Sequence, residues 1–514
     1  MKDVLIKNGV FSHSSPEAQG IPSAAILDFL DEVDRNEIDL HSLYIFKNGQ
    51  LLAGGCRAPF QPDSLHRIYS AAKAVTGLAV LFAVQEGLLT LETPVVSLFP
   101  AELAGLELTE RMRAMTVRHL LTMTTGHDQD TFRPILNAEG SSIRAFFSVP
   151  LDFEPGTHFL YNNGVPHILG LIVKKVSGLD YLSYLKPRFL DPAGIYCTVE
   201  RTEKGELEGS RTVCTPEGFA KLTLFYLQEG SWNGSRLLDP QLMREAVSLQ
   251  VPTAQCSSIS FPHIDEMAGY GFQVWRNSVG GYRLDGGRSQ FGFVFPEYQF
   301  ALVCNGIEAD SGLLPQIFWR TLYPLIGGFH PLAEDQTVTT DQEELARRMA
   351  AGSCAPACLA SPPTFYDTWY DRDYQLEDNP YHLERLSVSA GKGLPQIRLT
   401  AAGRTYAFCV GLDGQWQENA EFPPLPRENA RLNEVFGVKQ NVWFISGGWL
   451  SDFCFIFQVR EKGWMDYTTF YCRFSLDRVS LVVESNMEKL SHLRRRIPMK
   501  PWPWPDTPIN GRQK

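Results

Sequence analysis

The sequence predicts a domain of mixed helices and strands, followed by an all-β domain. Strand patterns occur at residues 42–55 and return at 270–304, and helical patterns dominate the stretch between them. Beyond residue 366 the pattern changes to short strands separated by frequent turns. At 514 residues the chain is too long for one ordinary core. We therefore predict one sheet assembled from both ends of the first domain, and a sandwich or barrel after it.

Each element of the first domain has its own local signal. Residues 15–40 are read as a helix with Ser23 as its N-terminal cap, and residues 42–55 as a β-hairpin. The later elements are predicted from apolar periodicity and from β-branched and aromatic runs. They are helices at 70–87, 117–121, 165–173 and 314–325, and strands at 270–275, 281–284, 291–295 and 300–304.

The remaining sequence divides into three parts. Residues 331–365 are polar and rich in Thr, Ala and Pro, and we interpret them as a connector with one short helix at 342–349. The predicted strands of the all-β domain include 396–400, 406–410, 441–445 and 478–483. The predicted bounds are 1–330 for the first domain, 331–365 for the connector, 366–500 for the all-β domain and 501–514 for a Pro/Trp-rich tail.

The net charge and the apolar pattern argue against two classes of partner, nucleic acids and membranes. The net charge is −11 and the isoelectric point is about 5.6, which argues against nucleic-acid binding as the main task. The first residues lack the apolar run of a signal peptide, and the sequence has no apolar run of membrane-spanning length. We therefore expect a cytoplasmic protein with no membrane partner.

The cysteines give no sign of a metal site. There are ten, and only Cys354 and Cys358 lie close together in the sequence. Neither a second close pair nor a nearby histidine completes a zinc ligand set. We predict reduced, mostly buried thiols, no structural metal and no cofactor.

Ser70 and Lys73 open a segment that is apolar almost all round. Residues i and i+3 share a helix face, so the lysine amine is expected near the serine hydroxyl. A serine hydroxyl is a poor nucleophile until a base takes its proton, and a buried lysine is a candidate for that help. The pairs Ser183–Lys186 and Ser389–Lys392 have the same spacing, but neither opens an apolar helix. We therefore take Ser70 as the candidate nucleophile.

A second candidate motif is Tyr161-Asn162-Asn163. A phenol ordinarily ionises at about pH 10, and a lysine cation beside it favours the phenolate. Tyr161 could then take the proton of Ser70 and later pass it to the leaving group. Asn163 could orient Lys73 and a substrate amide. Alone, the tripeptide is more simply a loop whose Tyr packs and whose Asn caps the next helix.

The third candidate motif is Asp285-Gly286-Gly287-Arg288, at the end of a predicted strand. Glycines there let a substrate lie against the strand and receive backbone N–H bonds, which supplies half of an oxyanion hole. The N–H of Ser70 would supply the other half. Alone, this segment is more simply a hairpin turn.

In this order the three motifs resemble the serine β-lactamase and penicillin-binding-protein superfamily, specifically its class C-like and esterase-like branch. That family carries Ser-x-x-Lys, then Tyr-x-Asn, then a Lys/His/Trp-x-Gly strand. The resemblance covers about residues 15–328. It implies a helical domain beside an α/β domain with an antiparallel sheet, and a catalytic site between them. Other stretches similar to this branch are 66–73, 86–95, 115–126, 155–163, 215–220 and 294–297.

The third motif departs from the family pattern at Asp285, which stands where relatives usually have a cation or an aromatic residue. In β-lactamases and cell-wall peptidases that residue helps to hold the substrate carboxylate. A carboxylate in its place should repel such substrates, although Arg283 and Arg288 could compensate. True β-lactamase action is therefore not expected.

His127 follows a Thr-Gly turn in a loop that the family places at the rim of the cleft. It could contact the substrate. The alternatives are a metal-binding pair with the neighbouring aspartates and a hydrogen-bonded loop without a direct role.

The leading function is a serine hydrolase that acts on ester, amide or peptide-like small molecules through an acyl-enzyme on Ser70. The first alternative is an acyltransferase, in which an alcohol or an amine replaces water in the second step. The second alternative is a catalytically silent binding protein, against which the joint presence of Ser70, Lys73, Tyr161 and Asn163 argues. The all-β domain is expected to shape the cleft or to form a contact in a homo-oligomer.

Overall fold

The computed structural model describes residues 6–7, 10–202, 204–254, 264–308, 312–327, 339–359, 372–390, 393–424, 442–462, 466–475, 478–486 and 509–513. Within these ranges every helix is too short or too polar to cross a bilayer.

The first domain contains thirteen strands and thirteen α-helices among its described residues. The strands are β1 Ile6–Lys7, β2 Val10–Phe11, β3 Asp39–Lys47, β4 Gln50–Cys56, β5 His66–Arg67, β6 Cys197–Arg201, β7 Leu207–Cys214, β8 Ser231–Trp232, β9 Ser235–Arg236, β10 Trp275–Arg276, β11 Tyr282–Gly286, β12 Gln290–Phe295 and β13 Phe300–Ile307. The helices are α1 Ser23–Arg35, α2 Ala72–Gln85, α3 Val95–Leu98, α4 Glu110–Ala114, α5 Val117–Leu121, α6 Phe132–Asn137, α7 Ser142–Ser148, α8 Val165–Ser177, α9 Tyr181–Leu185, α10 Asp191–Ala193, α11 Pro216–Leu227, α12 Pro240–Val247 and α13 Leu313–Thr321. Short 3₁₀ helices lie at Glu17–Gln19, Tyr69–Ala71, Ile264–Met267, Pro296–Tyr298 and Tyr323–Leu325, and a π-helix at Lys186–Leu190.

The main sheet has six strands in the order β10-β11-β12-β13-β3-β4, and neighbouring strands are antiparallel. Strand β13 pairs with β3, so that Cys304 lies opposite Leu43. The prediction of one sheet built from both ends of the domain is therefore confirmed.

Two helical layers cover the sheet. Helices α1 and α13 pack on one face, where Phe293, Phe295 and Phe318 belong to one apolar cluster. A further helix, α14 (Thr340–Ala351), contacts α1 and β4 on this side, and it includes the helix predicted at 342–349. On the other face, α11 contacts β12 and β13 and leads into the larger helical core. The predicted mixed fold, with an antiparallel sheet and flanking helices, is confirmed.

Helix α2 runs through the interior of the helical core. Residues Ala72–Ala83 are all buried, and the helix contacts α8 and β7. Gly77 lies against the side chain of Gln273 and the carbonyl of Phe272, where an added Cβ would be only 3.2–3.4 Å from its neighbours. The nearly uniform apolar composition of α2 follows from this burial on all sides.

The C-terminal region forms one ten-stranded sheet with the order β17-β16-β15-β14-β23-β22-β21-β20-β19-β18. The side chain of Asn419 at one end of the sheet bonds both the N–H and the carbonyl of Cys409 at the other end, at 2.9 and 3.0 Å. The sheet therefore curves round on itself as a barrel, and the all-β prediction is confirmed. Its strands are β14 Arg372–Leu376, β15 Leu383–Ala390, β16 Pro395–Ala401, β17 Arg404–Cys409, β18 Gln417–Asn419, β19 Trp443–Ser451, β20 Cys454–Glu461, β21 Tyr467–Ser475, β22 Arg478–Ser485 and β23 Ile509–Gln513.

Three details differ from the sequence prediction. Helix α1 begins at Ser23 itself, whose N–H bonds the Glu17 carboxylate at 2.7 Å, so Ser23 is not the cap. The segment 270–275 is mostly a turn closed by the N–H of Gly271 and the carbonyl of Val274, and only its last residue lies in a strand. Strand β23 lies in the range predicted as a tail, while the Pro/Trp-rich residues 501–505 are outside the described residues.

A buried polar network joins the barrel to the main sheet. The guanidinium of Arg460 on β20 is 2% exposed and donates to the Asp39 carboxylate on β3 at 2.7 Å. His41 Nε2 contacts the same carboxylate at 3.0 Å, and His41 Nδ1 lies 2.9 Å from His66 Nε2. Burial alone would raise the pKa of Asp39, but the charges of Arg460 and His41 overcome this and hold the pKa well below its ordinary value.

We expect the protein to lose stability in mild acid because of His66. Burial, assisted by the charge of His41, lowers the pKa of His66 from 6.5 to about 3. Below pH 6.5 the unfolded chain therefore binds a proton at His66, whereas the native state leaves His66 neutral until a much lower pH. The free energy of unfolding consequently falls as the pH falls. His66 alone should cost about 2 kcal/mol between pH 7 and pH 5.

Chemical denaturation at pH 7, 6 and 5 measures this loss of stability. His66→Asn should reduce the loss between pH 7 and pH 5 by about 2 kcal/mol. His13→Gln, a change at an exposed histidine, should leave the loss as in the wild type. A wild-type free energy of unfolding that is constant over this range would contradict the prediction.

Candidate active site

Ser70 lies in the 3₁₀ helix Tyr69–Ala71, which leads directly into α2. Tyr69 has a φ of +44°, an uncommon conformation for a residue with a side chain. Lys73 is 1% exposed and its Nζ donates to Ser70 Oγ at 2.8 Å. The structure therefore brings together the serine and the lysine, as their spacing predicts.

Asn163 continues the hydrogen-bond chain from Lys73. Its Oδ1 accepts from Lys73 Nζ at 2.9 Å, and its Nδ2 donates to the Asp130 carboxylate at 2.7 Å. A carboxylate can only accept, so Asp130 fixes which end of the amide faces the lysine. The sequence does not single out Asp130 as a partner of Asn163, because the two residues lie 33 positions apart and only the fold joins them.

Tyr161 places its aromatic ring beside the lysine. Lys73 Nζ lies 4.6 Å from the centroid of the ring, within the range of a cation–π contact. The ring also packs against Trp275 and Tyr270, with centroid distances of 5.4 and 6.3 Å. Residues of the second motif and of the segment leading to β11 thus form one aromatic wall next to Ser70 and Lys73.

Asn162, between the two candidate residues, anchors their loop. Its buried Oδ1 accepts hydrogen bonds from the N–H and hydroxyl of Thr131 and from the N–H of Gly164. Three bonds to one oxygen hold the start of α8 and the Tyr161–Asn163 segment in place. The amide of Asn162 therefore holds the loop just before α8, while the amide of Asn163 bonds Lys73.

The third motif packs directly against the segment that carries Ser70. An added Cβ on Gly286 would lie 2.1 Å from the carbonyl oxygen of Ile68, whereas one on Gly287 would meet no atom within 4 Å. Strand β11 contacts the 3₁₀ helix of Ser70. The glycine at position 286 therefore allows the close approach of this strand to the serine, and position 287 opens into free space.

These two adjacent glycines form a matched pair for a test of this packing. We expect Gly286→Ala to lower the melting temperature by several degrees, because backbone atoms of the Ser70 segment must move away from the new methyl group. Gly287→Ala should leave the melting temperature unchanged. Thermal unfolding of both variants measures this, and equal melting temperatures would contradict the close approach.

Asp285 does not present a bare carboxylate. Its Oδ2 accepts from Arg283 Nε at 2.7 Å, and Arg283 is buried, with its Nη1 donating to the carbonyl of Arg276 at 2.8 Å. The Arg283 guanidinium lies 5.7 Å from the ring of Trp275. The compensation expected from Arg283 is therefore present on the same strand.

The side chain of Arg288 contacts the barrel and Tyr69. Its Nη1 donates to the Asp466 carboxylate of the barrel at 2.8 Å, and its guanidinium lies 5.8 Å from the ring of Tyr69. The guanidinium of Arg288 is thus paired with Asp466, and it is Arg283 that compensates Asp285.

His127 is not brought to the Ser70 cluster. Its side chain is fully buried, its Nδ1 lies 2.8 Å from Thr125 Oγ1, and its ring packs edge-on against Phe146. Burial lowers the pKa of His127 to about 4. These contacts fit the alternative of a hydrogen-bonded loop, and the rim position expected for substrate contact is corrected accordingly.

Comparison with known proteins gives one family and several relatives. Residues 16–305 match the family model described as Beta-lactamase. Lovastatin esterase from Penicillium rubens is 28% identical over 178 residues, which is 30% of this chain and 44% of that protein. Monacolin J acid methylbutanoyltransferase from Aspergillus terreus is 28% identical over 158 residues, which is 27% of this chain and 38% of that protein. The matched segments therefore span less than half of these relatives.

The solved structures similar to this chain include a penicillin-binding protein homologue from Caulobacter crescentus. Its TM-score is 0.48 at 15% identity, with 60% of this chain and 99% of that chain covered. Simvastatin synthase from Aspergillus terreus gives a TM-score of 0.47 at 18% identity, with 58% and 97% covered.

Proposed function

The chain belongs to the beta-lactamase family, and from this premise we propose that it is a serine hydrolase of ester, amide or peptide-like small molecules. The observation that carries the proposal is the unbroken chain of hydrogen bonds from Ser70 through Lys73 and Asn163 to Asp130. A buried lysine held on a partly exposed serine supports nucleophilic catalysis, because nucleophile and proton-transfer group are within bonding distance.

In the first step, Ser70 Oγ attacks the substrate carbonyl while its proton passes to the Lys73–Tyr161 pair. The carbonyl oxygen gains negative charge, for which the N–H of Ser70 and an N–H of the 286–288 segment are the proposed donors. The same pair then protonates the departing alcohol or amine, which leaves an acyl-enzyme on Ser70.

In the second step, water attacks the ester bond to Ser70. The Lys73–Tyr161 pair takes a proton from the water and returns one to Ser70 Oγ as the carboxylic acid leaves. Asn163 keeps the lysine on the serine throughout, and Asp130 keeps the amide of Asn163 correctly oriented.

The walls of the site favour substrates without a free carboxylate. Tyr161, backed by the buried rings of Trp275 and Tyr270, offers aromatic surface, and Asp285 neutralises the cation of Arg283 beside them. We therefore include penicillins and cephalosporins among the poor substrates and neutral esters among the good ones.

Covalent labelling tests the proposed function. The wild-type protein is incubated with a fluorophosphonate probe and mapped by peptide mass spectrometry, and a panel of nitrophenyl esters, amides and D-amino-acid peptides is assayed in parallel. We expect the label on the peptide that contains Ser70 and turnover of at least one ester. A protein that neither labels nor turns over any member of the panel would support the binding-protein alternative instead.

Acyl transfer is the second candidate, and the similarity to monacolin J acid methylbutanoyltransferase favours it. The same acyl-enzyme would react with an alcohol in place of water. Product analysis with an added alcohol acceptor separates the two reactions: hydrolysis gives only the acid, whereas transfer gives the new ester.

The charge at position 285 should set the preference between neutral and anionic substrates. We expect Asp285→Asn to raise kcat/KM for carboxylate-bearing esters about tenfold relative to neutral esters, because the cation of Arg283 is then uncompensated. Asp285→Glu keeps the charge and serves as the control. An unchanged ratio in Asp285→Asn would mean that this side chain does not face the bound substrate.

A further inference from the structure

The end of one barrel hairpin contacts the first domain on two sides of the candidate site. Arg460, near the end of β20, bonds Asp39, and through His41 this contact reaches His66 on β5, just before the Ser70 segment. Asp466, just before β21, bonds Arg288 at 2.8 Å, just after the glycines of the third motif. The ring of Tyr467 lies 4.4 Å from the Arg460 guanidinium and ties the two ends of the hairpin together.

The contact with Arg288 falls on an unusual stretch of backbone. Arg288 and Ser289 have φ values of +66° and +73°, so two consecutive residues with side chains adopt the left-handed conformation. Such a conformation persists only where the surroundings hold it. Ser289 is fully buried, and the side chain of Arg288 is fixed between the Asp466 carboxylate and the ring of Tyr69.

We propose that Asp466 of the barrel is a positioning residue that holds the turn at Arg288, and with it the backbone donors of the third motif, against the Ser70 segment. The inference rests on the proposed function, since those donors matter only if a carbonyl reacts at Ser70. In this arrangement the barrel is part of the catalytic apparatus, and the charge of Arg288 serves structure rather than substrate binding.

Substitution of Asp466 tests the inference. We expect Asp466→Asn to lower kcat for a nitrophenyl ester and the rate of fluorophosphonate labelling about tenfold, with little change in KM, because donors that stabilise the transition state lose their alignment. Asp466→Glu should restore part of the rate. Asp373→Asn is the matched control, because Asp373 forms an ion pair with Arg385 elsewhere on the barrel, at 2.9 Å.

The outcomes separate this inference from the proposed function. A wild-type protein that neither labels nor turns over ester overturns both. An active wild type with an Asp466→Asn variant of equal kcat overturns the inference alone. A loss of kcat matched by Asp373→Asn, or one that follows a fall in melting temperature, also overturns it, because it would report general stability.

An independent observation concerns the small sheet β5-β7-β6. Cys197 on β6 lies directly opposite Cys214 on β7 in the antiparallel register, and the two Sγ atoms are 3.2 Å apart. Opposite residues of an antiparallel pair have Cα atoms about 4.5–5.5 Å apart, inside the range of about 4.4–6.8 Å that a disulfide needs. The spacing in sequence gave no sign of this pair.

The two thiols differ in access. Cys214 is fully buried, and Cys197 is partly exposed. Burial raises the pKa of the Cys214 thiol well above its ordinary value, with the neighbouring Cys197 acting in the same direction. An oxidant from solvent therefore reaches the Sγ of Cys197 first. The Sγ of Cys214 already lies 3.2 Å from it.

We infer that Cys197 and Cys214 are a reversible disulfide site that hydrogen peroxide oxidises. The Cys197 thiol first loses its proton to solvent, and the thiolate then attacks one peroxide oxygen. The O–O bond breaks, and the departing hydroxide takes up a proton, so that one sulfenic acid and one water result. The Cys214 sulfur then attacks the sulfenic sulfur, its proton leaves with the hydroxyl as a second water, and the S–S bond forms. In total two thiols and one peroxide give one disulfide and two waters.

Peptide mapping of the full-length wild type tests this site without any variant. After brief treatment with hydrogen peroxide and alkylation of the remaining thiols, we expect a cross-linked peptide that joins Cys197 to Cys214, lost again on reduction with dithiothreitol. Cys197→Ser should abolish the cross-link and Cys304→Ser should not. If both thiols remain alkylated, or if Cys197 proceeds to the sulfinic acid without cross-linking, the inference is wrong.

Discussion

Ser70→Ala should abolish turnover of any ester substrate while the fold stays intact. The change removes one hydroxyl at a partly exposed position, so it costs little packing. It also removes the atom on which the acyl-enzyme forms, and only uncatalysed background attack by water is left. We expect kcat to fall by at least about 10⁴-fold, as in other enzymes that lose their nucleophile.

Ser183→Ala is the matched control for this change. Ser183 has the same three-residue spacing to a lysine, but it is an exposed residue within α9, where its hydroxyl bonds Asp180 at 3.0 Å. Its kcat and melting temperature should equal those of the wild type. Turnover by Ser70→Ala within tenfold of the wild type would remove Ser70 from the mechanism.

Lys73→Ala and Tyr161→Phe should each lower kcat at least about a hundredfold, the range expected for loss of general acid–base help. The two side chains lie against each other, with Lys73 Nζ 4.6 Å from the tyrosine ring, and they handle the same proton. The double variant should therefore be little slower than the slower single variant, because residues that act as one unit fail together. Steady-state kinetics of the four proteins of this cycle measure the coupling.

Two substitutions elsewhere in the chain serve as controls, one for the loss of a buried lysine and one for the loss of a tyrosine hydroxyl. Lys221→Ala removes another buried lysine, which pairs with Glu217 at 2.8 Å, and Tyr184→Phe removes a phenol that bonds Glu86. Both should keep the wild-type kcat. If the losses of kcat caused by Lys73→Ala and Tyr161→Phe multiply in the double variant, only one of the two groups transfers the proton of Ser70.

Local sequence signals were sufficient to find candidate catalytic residues where those residues lie in a segment whose composition also predicts burial. Ser70 and Lys73 were found because a polar pair opens a helix that is otherwise apolar, and the structure buries that helix on all sides. The strands of the main sheet were found because their apolar runs are continuous, as expected for strands covered on both faces. The antiparallel pairing within residues 42–55 followed from the predicted hairpin, whereas that of the whole sheet came from the family resemblance.

Contacts between distant segments could not be predicted. Asp130 bonds Asn163, and Arg288 bonds Asp466 of the barrel. Each of these contacts is decided by where a side chain points after folding, and single-sequence patterns carry no such information. His127 was placed at the rim by resemblance, whereas its burial against Phe146 follows from local packing.

The pairing of β3 with β13 also has a consequence for synthesis. Ser42 on β3 bonds Asn305 on β13, 263 positions later in the chain, so β3 leaves the ribosome long before its partner exists. At the usual pace of translation this interval lasts roughly 10 to 50 s. Throughout it, the hairpin β3–β4 exposes an apolar strand with one unpaired edge, which other nascent chains can pair with. We therefore expect the nascent chain to be most prone to aggregation in the interval before the second half of its sheet emerges.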